Sequence, residues 1–171
     1  MNKNFSINIV RGGIVVALII ISLYLSTVFR FNRLSIMILS SILIAVSLIK
    51  LGLKHSIIIY MATSLLSLII IPEKTIGISF TIFFGSYPII KALAEKKRKF
   101  IYEYILKYIF FNFSIFLFFL SFKYGLLGRV DIDLNIIIIL LILELLFLIY
   151  DKIFTIILIK LLERFGRFLN E

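Results

Sequence analysis

Residues 135–143 read NIIIILLIL, with no polar side chain after Asn135. A strand of a membrane barrel alternates apolar and polar positions over about 10 residues, and this run does not alternate. A helix in lipid bonds its backbone groups within itself and tolerates an apolar surface on every side. Isoleucine and phenylalanine favour strands in water, yet the pattern here predicts helix. Carried outward through the chain, the same reading predicts an all-α, polytopic membrane protein in one compact bundle.

The flanking sequence divides at its charges. A helix of about 20 apolar residues crosses a hydrocarbon core of roughly 30 Å, and six stretches approach that length. They are residues 12–29, 34–49, 56–71, 75–93, 101–122 and 134–150, the last continued by an amphipathic extension to about 169. No repeat with a period of about 20 to 50 residues is visible, so residues 1–171 are expected to form a single membrane domain. The first run is about 18 residues, longer than the roughly 7 to 15 of a signal-peptide core, and no small-x-small site precedes Arg30. It reads as a retained first helix.

Composition agrees with lipid as the solvent. The 171 residues are 62% hydrophobic and 16% charged, with a mean hydropathy of +1.16, against about 45 to 50% apolar and 25% charged in soluble domains. The net charge of +10 is that of basic residues flanking spans, which hold loops in the cytoplasm and meet anionic headgroups. No soluble basic domain is present to bind nucleic acid, and none is expected to be bound. With the N-terminus inside, the inner segments carry Lys3, Arg11, Lys50, Lys54, Lys91, Lys96, Lys97, Arg98, Lys99, Lys152, Lys160, Arg164 and Arg167. The outer segments carry Arg30, Arg33, Lys74, Lys123 and Arg129. Thirteen against five predicts both termini in the cytoplasm of a multi-pass cell-membrane protein.

With no Cys, the chain lacks disulfides, thiolate metal sites and cysteine nucleophiles, and a single His makes a histidine-based metal centre or a Ser-His-Asp triad hard to build. It contains no Walker loop, HExxH, GxSxG or Gly-rich dinucleotide turn. No enzymatic activity, catalytic residue, metal or cofactor is expected.

Ionisable groups inside spans are costly and therefore informative. Glu144 lies within the sixth stretch, and Asp151 follows seven residues later on the same helical face. Lys91 lies near the inner end of the fourth stretch and Lys107 inside the fifth, with Glu103 one turn before it. Antiparallel fifth and sixth helices would put Lys107 and Glu144 at comparable depths, with Lys91 in reach of Asp151. Asn112 and Ser114 are expected to bond a neighbouring helix or line a cavity, and Tyr87 adds a ring. Glu144, Asp151, Lys107, Lys91, Asn112 and Tyr87 are thus candidates for a ligand-binding site or a structural polar cluster. Asp131 and Asp133 read better as a helix N-cap region than as a cation site. Within FGSYPIIK, residues 84–91, Pro88 removes a helical hydrogen bond and Gly85 permits a bend, predicting a kinked helix.

In the first helix, Gly13-x-x-x-Ala17 within GGIVVALIIIS is a small-xxx-small face suited to close helix packing, inside the bundle or against another subunit. In this feature, its size and its topology, the chain resembles the substrate-binding S components of energy-coupling factor transporters. That resemblance implies capture of a small solute near the outer face. It also implies docking through Gly13 and Ala17 onto a transmembrane coupling subunit driven by ATPases. The size and topology are also similar to the small membrane subunit of the rod-shape complex, which would imply a noncatalytic scaffold using the Lys96 to Lys99 loop. A small proton-coupled carrier using Glu144 is the third reading.

Overall fold

The computed structural model describes residues 3–96, 100–123 and 136–168. Among these residues there is no strand. The helices are α1 (Lys3–Val28), α2 (Arg33–Ile70), α3 (Lys74–Ser79), α4 (Tyr87–Glu95), α5 (Phe100–Lys123) and α6 (Ile136–Phe168). A 3-10 turn at Arg30–Asn32 leads into α2, and a π turn at Phe80–Phe84 joins α3 to α4. Among the described residues, four segments are long and apolar enough to cross a membrane: Ile7–Val28, Arg30–Ile70, Lys74–Glu95 and Ile101–Phe122. The chain divides into two compact units, Met1–Arg129 and Val130–Glu171, the second built on the 33-residue α6.

Helix α1 begins at Lys3, well before the apolar run that starts at residue 12. Helical hydrogen bonding needs no continuous apolar run, so residues 3–11, which mix polar and apolar side chains, extend it. Helix α2 is a hairpin rather than a rod. At Gly52 the backbone takes φ +81° and ψ 170°, values outside the helix region that a side chain disfavours. Nine residues of unbroken helix would separate Ser47 from Ser56 by about 13.5 Å, yet their hydroxyl oxygens lie 2.8 Å apart. The two arms, residues 33–51 and 53–70, therefore run antiparallel. Their far ends are tied by Arg33, whose Nη1 and Nη2 donate to the Glu73 carboxylate at 2.5 and 2.6 Å.

The core of the first unit gathers around this hairpin. Ile19 and Leu23 of α1 pack with Met37, Ile44, Leu51 and Ile59 of α2 and with Ile71, Ile76 and Phe80 beyond it. Between these apolar contacts runs a seam of small hydroxyl residues: Ser22, Ser26, Ser40, Ser47, Ser56, Thr63 and Ser67 are all buried. Each donates to a carbonyl three or four residues earlier on its own helix. A hydroxyl satisfied in this way costs little in an apolar setting, and its small size lets helices approach closely. Gly77 shows how close: a Cβ there would lie 3.0 Å from the Ser67 carbonyl oxygen.

Candidate functional site

The segment that joins α3 to α4 departs from α-helical bonding. The Gly85 N–H donates to the Phe80 carbonyl, five residues back, at 2.7 Å. The Thr81 carbonyl, four residues back, accepts instead from the Tyr60 hydroxyl at 2.7 Å. Pro88 has no N–H to offer Phe84, and it sits in the first turn of α4, where none is needed. A Cβ on Gly85 would stand 2.8 Å from Phe80 Cζ and 2.9 Å from Tyr60 Cδ2. The change of helical bonding thus lies upstream of the proline, where α2 can supply a donor.

Below this turn, α4 faces α5 through two layers. The upper layer is aromatic: Phe83 lies against Tyr87, Phe110 and Phe111 at centroid distances of 5.5, 6.2 and 5.9 Å. Tyr87 is fully buried there. The lower layer is ionic. Lys91 and Lys107, each only 2% exposed, converge on Glu95, with Nζ to Oε1 distances of 2.5 and 3.1 Å. Lys107 also reaches Glu103 at 2.5 Å. Each buried lysine is thus paired with a carboxylate, which is how buried charge is tolerated. Glu95 is the residue that sequence reasoning missed, because it opens the run Glu95-Lys96-Lys97-Arg98-Lys99 and reads as loop. The i,i+4 spacings Lys91/Glu95 and Glu103/Lys107 were the available signal.

The remaining candidates lie on α1, α5 and α6. Asn112 donates to the Tyr108 carbonyl and Ser114 to the Phe110 carbonyl, so each bonds its own helix rather than a neighbour. Gly13 and Ala17 are exposed, and a Cβ on Gly13 would meet nothing within 4 Å, whereas the adjacent Gly12 is buried against Ile59. Close packing of α1 inside the unit thus uses Gly12. Glu144 and Asp151 belong to α6, where Thr155 donates to the Asp151 carbonyl at 2.7 Å. Asp131, Asp133 and residues 97–99 lie outside the described residues.

A cleft of about 400 Å³ opens at the Arg33 end of the hairpin, between the 30–35 segment and the start of α3. Its walls carry Arg30, Arg33, Glu73, Ser35, Thr75 and Ser79. Both Nη groups of Arg33 are spent on Glu73, while its Nε is buried and has no hydrogen-bond partner. The hydroxyls of Ser35, Thr75 and Ser79 and the Arg30 guanidinium make no hydrogen bond or ion pair with the described residues. Ser35 and Thr75 are exposed and Ser79 is half-buried, unlike the seam hydroxyls, which are buried and donate within their own helices. Sequence reading placed Arg30, Arg33 and Lys74 at one face but not the three hydroxyls, which are scattered over 45 positions and joined only by the hairpin. Nearby Lys74 is otherwise engaged, donating to the Leu68 carbonyl at 2.7 Å and so covering the C-terminus of α2.

Compared with protein-family models, curated proteins and solved structures, the chain matches none of them.

Proposed function

We propose that the chain is a multi-pass membrane subunit, with both termini in the cytoplasm, that binds a small solute for a multi-subunit uptake transporter resembling the energy-coupling factor type. The cleft at residues 30–35 and 73–79 carries this reading. It gathers the Arg30 guanidinium and the hydroxyls of Ser35, Thr75 and Ser79, none bonded to the described residues, around one concave space, and a cleft with convergent polar groups is the natural candidate for a ligand site. On the proposed topology, with thirteen basic residues inside and five outside, the cleft faces outward. Gly13 and Ala17 are both exposed on α1, and two small residues one turn apart suit the close approach of a coupling subunit.

The test is purification of the full-length protein from its native membrane in mild detergent, with mass spectrometry of co-purifying proteins and small molecules. The expected result is recovery of a solute together with a coupling subunit and ATPases, the proteins being lost in Gly13→Leu. Recovery of cell-envelope scaffold proteins with no solute would overturn the reading.

A further inference from the structure

We infer that the cleft at the Arg33 end takes a phosphoryl group, held by Arg30 and the hydroxyls of Ser35, Thr75 and Ser79. The inference rests on the cleft being the ligand site proposed above and adds the chemistry of what enters it. The charge balance comes first: Glu73 is matched by the Arg33 fork, which leaves Arg30 as an uncompensated cation in the wall. The second consideration is the nature of the unspent groups. Arginine N–H groups only donate, and hydroxyls can donate, so an acceptor-rich anion satisfies all of them. The third is their arrangement. Ser35 lies on one wall, in the first turn of α2, and Thr75 and Ser79 lie on the other, one turn apart on α3. Donors on two walls suit the several oxygens of a tetrahedral oxyanion better than the two coplanar oxygens of a carboxylate. Arg33 is held by its ion pair with Glu73, so the charge that would otherwise compete for Arg30 is already committed before any ligand arrives.

A phosphoryl group can arrive on a soluble molecule or on a lipid headgroup, and the test separates these sources. Full-length protein in a maltoside detergent is titrated with inorganic phosphate, with acetate and chloride at matched ionic strength, by calorimetry and thermal unfolding. Saturable phosphate binding is expected, weakened at least tenfold in Arg30→Gln and in Thr75→Val/Ser79→Ala, and unchanged in Lys54→Gln at the opposite end of the hairpin. Arg30 is exposed and makes no internal bond, so circular dichroism of Arg30→Gln should match the parent. Equal responses to acetate, or indifference to Arg30→Gln, would overturn the phosphoryl assignment. A second titration uses dihexanoyl phosphatidylglycerol. Arg30-dependent binding of that lipid without a response to inorganic phosphate would uphold the phosphoryl assignment and sink the soluble-solute reading. Conversely, a co-purified solute without phosphate, retained in Arg30→Gln, would uphold solute binding and sink the phosphoryl assignment.

Discussion

Glycine does opposite things at three positions. At Gly52 the φ of +81° with open space around the Cβ position makes any side chain a backbone problem alone, costing about 1 to 3 kcal/mol. Gly52→Ala should therefore lower the unfolding temperature in detergent. At Gly85 the backbone is ordinary and the obstacle is the pair of rings from Phe80 and Tyr60, so Gly85→Ala should cost about 1 to 3 kcal/mol through overpacking. At Gly13 neither obstacle exists, and Gly13→Ala should stabilise α1 by up to about 1 kcal/mol. Thermal unfolding of the three variants side by side checks the signs. The Gly13-x-x-x-Ala17 pattern offers Gly13 for close packing, inside the bundle or against another subunit. It cannot separate Gly12 from Gly13, because adjacent residues on a helix of nearly uniform apolarity carry no periodicity to orient the face.

Elements are joined by bonds that cross between them at a few polar points. Tyr60→Phe removes the donor that the displaced Thr81 carbonyl accepts from, and should destabilise the protein by about 1 to 2 kcal/mol. Glu95→Ala strips a carboxylate from two buried lysines, whereas Glu103→Ala strips one from Lys107 alone. Denaturant titration should rank Glu95→Ala as the more damaging, at about 2 to 3 kcal/mol; buried pairs broken from one side cost more, but Glu95 is partly exposed. The existence of long helices was legible from uninterrupted apolar runs, and Pro88 with Gly85 announced a break. The placement of the π turn before the proline was not legible, because it depends on a hydroxyl 21 residues away.

For the whole molecule, the hairpin sets what lies at each end. The Gly52 turn spends one residue where the charge pattern 50–55 suggested a longer loop, because the Ser47 and Ser56 hydroxyls bring the arms together immediately. On the proposed topology, residues 31 and 54 lie on opposite sides of the membrane. Since the chain contains no Cys, Phe31→Cys and Lys54→Cys give clean labelling sites. Phe31→Cys should react with an impermeant maleimide in intact cells and Lys54→Cys only after permeabilisation. Reversed labelling would invert the orientation. The charge asymmetry behind this expectation is a property of the sequence as a whole and needs no structure, whereas the cleft exists only once residues 35, 75 and 79 have been folded to one place.

The π turn at Phe80–Phe84 has a further consequence for insertions and deletions. A π turn holds one more residue than the α turn it replaces, so removing a single residue from 80–84 can restore regular bonding while Tyr87 and Lys91 keep their direction toward α5. Between Tyr87 and Lys91 no spare residue exists, and a deletion there turns Lys91 by about 100° around the helix axis, away from the α5 lysine with which it shares Glu95. A deletion scan through 80–91, read by yield of folded protein, should show its mildest losses inside the π turn and its steepest just past Pro88.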